Sequence, residues 1–219
     1  MKISIPMFFP SITKTRVIAW LVLSLLGLMP LTSQAGAFTS GNLAVLRADS
    51  IANNTTASII EINTTTANQT AVQTISVSGT GTDAIRISGS ATSTGYLSRT
   101  NDKTLLNFNG ANSIATTNVN GLNPRAVVSL DSSGIISLKT TYTGTSGNQT
   151  RSSTSLDNST WFIADQGGIY TNSATTASPT GNFRGIKAFD GVVYAGQTSS
   201  TTTTIQVSTV SATSSGVIT

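Results

Sequence analysis

Short runs of β-branched, aliphatic and aromatic residues, interrupted roughly every ten residues by clusters of Gly, Asn, Asp and Ser, govern what this chain can fold into. They fall at 42–47, 58–62, 71–77, 83–88, 95–99 and 104–108. They resume at 125–130, 134–138, 160–164, 168–170, 185–189, 192–195 and 204–207. None is long enough to lay an apolar stripe along a helix, whereas about four to eight residues suffice for a strand. Segments 52–57 and 63–70 flank the second run and read as loops, and 199–204 separates the last two runs. The pattern predicts an all-β domain of antiparallel hairpins.

Composition removes whole classes of chemistry. The chain has no His and no Cys. That excludes Ser-His-Asp and Cys-His nucleophile pairs, zinc sites built on those side chains, thiol redox work and a disulfide framework. No Asp-rich calcium loop is present either, so the sequence predicts no metal and no cofactor. The formal charge of +4 overstates the basic character. Of the twelve Lys and Arg residues, Lys2, Lys14 and Arg16 precede the first strand-like run, which leaves nine against eight acids. The rest are scattered, so the sequence predicts no nucleic-acid partner.

The leader has its own logic. Lys2, Lys14 and Arg16 precede an apolar run at 17–29, Pro30 closes it, and the small residues Ser33, Ala35 and Ala37 follow. A basic segment, a short apolar core and a small-x-small exit describe a secretory signal peptide. The run is shorter than the roughly 20 apolar residues that span a membrane. Residues 1–37 are thus expected to be removed, leaving 38–219 as one domain that is secreted or held in the cell envelope. Membrane contact is expected only during export. A cysteine-free exported domain suits a bacterial source.

One pattern repeats. Arg125…Asp131, Arg151…Asp157 and Arg184…Asp190 share an Arg, five residues and an Asp, with Leu130, Leu156 or Phe189 before the Asp. An Asp carboxylate accepts backbone N–H groups one or two residues on and nucleates a turn, so these positions are expected to close hairpins rather than serve as a ring of ligands. Self-similar hairpins point to blades or coils that bury faces a single unit cannot bury. The uneven spacing of the three Asp positions disfavours a regular solenoid. It suits a β-propeller-like arrangement of about four blades, incomplete as a ring. A β-sandwich or β-solenoid is the alternative.

A family resemblance runs along the same segments. Gly41-Asn-Leu-Ala-Val-Leu-Arg47, the stretch from Ala91 to Asp102 with Gly95-Tyr-Leu-Ser-Arg99, and Trp161-Phe-Ile-Ala164 resemble a group of uncharacterised secreted bacterial proteins. So do Asn182-Phe-Arg184 and Gly191-Val-Val-Tyr194. Those proteins begin with a Gly-Asn-Leu-Val-Val-x-Arg type segment, are β-propeller-like, and in some members carry a Pro-Glu-Pro carboxy-terminal sorting signal. The resemblance implies fold and location but brings no catalytic residues. This chain shows neither the sorting signal nor the later repeats, which implies that it corresponds to an amino-terminal portion.

Two functional expectations follow. The first is an exported, non-catalytic β-repeat protein acting as a surface, matrix or ligand-binding module, with carbohydrate or protein as partner. Tyr96, Trp161, Tyr170 and Tyr194 are its candidate contact residues, and a concentration of aromatics and Arg on one rim would favour it. Alternation with aliphatics makes core packing the stronger expectation for each aromatic. The alternative is a carboxylate-dependent carbohydrate-active enzyme, a glycosidase or lyase. It would draw a pair from Glu61, Asp83, Asp102, Asp131, Asp157, Asp165 and Asp190, and such a pair must converge in one cleft. An extended adhesin with stacked Thr and Asn ladders is a third class, weakened by the uneven repeat.

Overall fold

Each apolar run closes onto its neighbour in sequence because the residues between them are those that reverse a chain. The computed structural model describes residues 36–198 and the strands Ile205–Val210 and Val217–Ile218. The leader run at 17–29 and the loop at 199–204 lie outside the described residues. The first sheet is β1 (Leu43–Ala48), β2 (Ala57–Ile62) and β3 (Gln73–Ser76), in that order. The second holds β4 (Ile85–Arg86), β6 (Leu106–Asn112), β7 (Arg125–Leu130) and β8 (Ile136–Tyr142), with β5 (Ser98–Arg99) also paired to β6. The third is β9 (Thr150–Ser155), β10 (Trp161–Asp165) and β11 (Gly168–Thr171). The fourth is β12 (Phe183–Phe189), β13 (Val192–Thr198), β14 (Ile205–Val210) and β15 (Val217–Ile218).

The protein is all-β, every named strand pair is antiparallel, and among the described residues no sheet closes on itself. A solenoid would stack parallel strands.

Three apolar cores show how the sheets meet. Ile59 and Ile75 of the first sheet pack with Phe108, Val128 and Leu130 of the second. Val127 and Tyr142 of the second pack with Trp161, Ile163 and Tyr170 of the third. Phe162 and Ile169 of the third pack with Phe183, Ile186 and Val193 of the fourth. Side chains alternate across a strand, so Val127 and Val128 on β7 serve different cores, as do Ile163 and Phe162 on β10. Both strands are central in sheets covered on both faces, and both are buried at every position. Successive sheets stacked face to face give the arrangement its blade-like character.

The repeated aspartates sit in turns. Asp131 Oδ1 accepts the backbone N–H groups of Ser133 and Ile135, both at 2.9 Å, between β7 and β8. Asp157 Oδ1 accepts those of Ser159 (2.9 Å) and Thr160 (2.6 Å) between β9 and β10. Asp190 and Gly191, at φ 48° and 76°, form the two-residue loop between the paired Phe189 and Val192. Positive φ at both positions is what a type I′ hairpin requires.

The arginines of the pattern take no part in these turns. Arg125 is fully buried, and its Nη1 donates to Asp165 Oδ2 at 2.6 Å. Its Nη2 donates to the carbonyls of Asn120, Thr145 and Asn148 at 2.8–2.9 Å. Tyr142 donates to the same Asp165 oxygen at 2.9 Å, and the Gly167 N–H donates to the other at 3.0 Å. Burial and then the Asp165 charge push the Tyr142 phenol well above its usual value. A Cβ added at Gly144 would meet the Arg125 side chain at 2.5–2.7 Å, so only glycine fits beside this anchored side chain. Removing one partner of a buried pair leaves an uncompensated charge. Arg125→Met is therefore expected to cost about 3–5 kcal/mol in urea-unfolding free energy. Wild-type stability in this variant would show that the pair does not join the second and third sheets.

Candidate functional site

Three short strands share one direction and so define two ends of the molecule. The Tyr96 N–H reaches the Arg151 carbonyl, and the Asn101 N–H reaches that of Ser155, so the segment around β5 runs parallel to β9. The Ile186 N–H donates to Ser152 Oγ and the Ala188 N–H to Thr154 Oγ1, so β12 runs parallel to β9 as well. The carboxy-terminal ends of β5 and β12 border a surface concavity.

A pocket of about 640 Å³ lies between β5 and the end of β12 and extends to Ala44 of β1. A second, of about 450 Å³, adjoins it and shares Ala44, Arg99, Lys103 and Leu106. Together they form one groove with three cations, Arg99, Lys103 and Lys187, and two acids, Asp190 and Asp131, in different lobes. Phe189, 68 % exposed, supplies an apolar wall. Leu43, at 56 %, lines the second lobe. Alternation on β12 explains the wall: Ile186 and Ala188 turn toward the core while Lys187 and Phe189 turn outward.

The loop that carries Asn101 and Lys103 is pinned by Asp102. Its Oδ1 accepts Thr100 Oγ1 (2.6 Å) and the Thr104 N–H (3.1 Å), and its Oδ2 accepts Asn158 Nδ2 (2.7 Å). Lys103 takes φ 63°, which completes the turn. The Thr100 hydroxyl, then the Thr104 backbone N–H, outweigh desolvation and hold the Asp102 carboxyl down at about 2. The same physics acts at Asp157, where the Thr160 and Ser159 N–H groups keep the carboxyl well below the usual range. Burial acts to raise Glu61, but hydrogen bonds from Gln73, Thr39 and Asn42 outweigh it and leave that carboxyl lowered.

The sequence candidates fall in separate places. Asp131 and Asp190 line the groove, while Arg125 and Asp165 form the buried pair. Asp157 sits in its turn, beside the Asn158 that reaches Asp102. Trp161 and Tyr170 are 2 % exposed and belong to the core between the second and third sheets. Tyr194, 37 % exposed, lies on the outer side of β13. Tyr96, 39 % exposed, stands with Arg151 and Arg184 at the opposite end of the parallel strands. The groove residues Arg99, Lys103, Lys187 and Phe189 were not candidates. The sequence signal is confined to Lys187 and Phe189, through the outward alternation on β12, since nothing in the spacing announces that β5 and β12 meet.

Comparison of the chain with protein-family models, with curated proteins and with solved structures finds no match. Among the described residues no group of three acids could hold a metal ion.

A folded-state value below the unfolded one means that Asp102 stabilises its loop fully above about pH 4 and ceases to do so as pH falls through about 2. A carboxyl-resolved NMR titration is expected to place its midpoint near 2. In Thr100→Val the midpoint should rise toward the ordinary 3.8. An unchanged midpoint would remove the hydroxyl as the leading cause.

Proposed function

We propose that the protein is exported and acts outside the cytoplasm as a non-catalytic carbohydrate-binding module through the groove between β1, β5 and β12. The observation that carries this reading is the lining itself. An exposed aromatic face, Phe189, lies beside Arg99, Asn101, Lys103, Lys187 and Asp190, which offer hydrogen bonds in several directions. A sugar presents an apolar ring face and an equatorial belt of hydroxyls, and such a lining complements both. The segment at 1–37 supports export, and the resemblance to secreted bacterial β-propeller-like proteins agrees with it.

Carboxylate catalysis is the second reading on the same ligand class. A glycosidase needs two carboxyl groups roughly 5–9.5 Å apart, one raised enough to stay protonated. Glu61, Asp102 and Asp157 are all shifted downward, the wrong direction for a general acid. Asp165 is fully buried against Arg125, and Asp131 spends one oxygen on two backbone N–H groups. Asp190 and Asp131 sit in different lobes, each in a hairpin turn. That geometry favours holding a sugar over cleaving it.

The test is co-sedimentation with a panel of insoluble polysaccharides, paired with a reducing-end assay. Phe189→Ala and Lys187→Ala are both exposed changes. Each is expected to weaken binding about tenfold with unchanged circular dichroism and no reducing ends released. Retained binding in both variants would discard the groove, and accumulating reducing ends would promote the enzyme reading. Export is tested separately: mass spectrometry of the secreted protein should find Phe38 at the amino terminus.

A further inference from the structure

The amino-terminal ends of the same three strands hold a different arrangement. Arg151, the second residue of β9, is 2 % exposed. Its Nη1 donates to the Ser93 carbonyl and its Nη2 to Asn182 Oδ1 at 3.4 Å. Half-buried Arg184 on β12 donates through Nε to Thr198 Oγ1 at 3.1 Å. Among the described residues neither guanidinium has a carboxylate within 4.0 Å, the one ion pair being Arg125–Asp165. Burial, followed by the Arg184 charge, lowers the Arg151 value.

Arg125 shows how this fold completes a structural arginine: an acid on one nitrogen and three carbonyls on the other. Both arginines leave a buried Nε without a partner, so the difference between them lies in the acid and the carbonyls. Arg151 has one carbonyl, one long amide contact and a like charge beside it. An unpaired buried cation is costly, and a counter-charge would relieve it.

A second observation points to the same place. Asn109 on β6 is fully buried, and neither its Nδ2 nor its Oδ1 has a partner. Asn107, two residues earlier, also leaves Nδ2 free while its Oδ1 accepts Ser153 Oγ at 2.9 Å. β6 is antiparallel to β5, and β5 is parallel to β9, so β6 and β9 face each other in opposite directions. Stepping two residues from the Asn107–Ser153 contact brings Asn109 level with Arg151. Buried amides in folded proteins are almost always satisfied. The register thus sets an amide without partners level with Arg151, whose guanidinium has no acid.

We propose that Arg151, Arg184 and Asn109 form a binding site for a small oxyanion, a carboxylate or a sulfate, entered past Tyr96. A planar guanidinium recognises such a group through charge-assisted hydrogen bonds, and the Asn109 amide adds a neutral donor. The oxyanion is either a free inorganic ion or the acid group of a sugar whose ring lies against Tyr96. The site stands at the opposite end of the strands from the groove and does not rest on the carbohydrate reading.

The experiment titrates the purified protein with sodium sulfate and, separately, with sodium glucuronate at constant ionic strength. Isothermal calorimetry and melting temperature are the readouts. Saturable binding is expected, weakened about tenfold by Arg184→Gln and by Asn109→Leu and unchanged by Lys139→Ala at an exposed position of β8. Asn109→Leu removes an unsatisfied amide, so circular dichroism checks its fold; were it misfolded, the half-buried Arg184→Gln decides. Equal affinity for the two anions assigns the site to a free ion. Tighter binding of glucuronate, lost in Tyr96→Ala, assigns it to an acidic sugar. Absence of saturable binding by either anion, or binding unaltered in Arg184→Gln, overturns the proposal.

Discussion

Everything in this fold hangs on a strand with no aliphatic residue in it. β9 reads Thr-Arg-Ser-Ser-Thr-Ser, and from Ser152 to Ser155 it is at most 1 % exposed. Its hydroxyls take the place of packing. Ser152 Oγ accepts the Ile186 N–H, and Ser153 Oγ donates to Asn107. Thr154 Oγ1 donates to the Arg99 carbonyl while accepting the Ala188 N–H. One strand thereby ties together β5, β6 and β12, which belong to two other sheets. Where the first strands of successive sheets crowd together, large side chains would hold them apart. A hydroxyl is small enough to sit there and can satisfy the backbone group that the crowding buries.

The buried ion pair is a second fastener, set farther from that line. Arg125 leaves β7 and meets Asp165 at the end of β10, so the charge pair spans the second and third sheets where their shared apolar core ends. A lone buried pair contributes little net stability, but it specifies position, because any slip of one sheet against the other strands both charges. The β-bulge between Ala164 and Asp165 falls at this point in β10, and a bulge re-aims the side chain it carries.

Legibility in the sequence followed side-chain type. Runs rich in β-branched and aromatic residues at 125–130, 160–164 and 168–170 correspond closely to β7, β10 and β11, because burial of those residues on two faces is what makes them strands. The Asp positions marked turns because a carboxylate two residues from a free N–H acts locally. β9 was invisible as a strand, since Ser and Thr with no apolar alternation read as a loop. Only its place in the Arg–Asp repeat marked it as special. β5 and β4 shrank to two residues each, because the chain around them gives its hydrogen bonds to other strands and to side chains. The partners of the repeat's arginines are hidden in the sequence for a similar reason. The side-chain partner is forty residues away for Arg125 and thirty-one for Arg151, and no local pattern reports such distances.

The two ends of the parallel strands differ because of how that bundle is made. At the carboxy-terminal ends the chain enters hairpin turns, which splay the strands and open a groove between the Thr100–Lys103 turn and the Asp190–Gly191 turn. At the amino-terminal ends the chain arrives from long connections, and their carbonyls and amides, Ser93 and Asn182, close around Arg151. Splayed turns create volume and exposed apolar surface, which suits a ligand with a ring face. Converging connections bury their polar groups more deeply, which suits a single charged group. The same three strands, held in one direction by the hydroxyls of β9, therefore present a wide site of mixed polarity at one end and a narrow cationic one at the other. A change that loosens β9 should blunt both, whereas changes at either end should leave the other as it was.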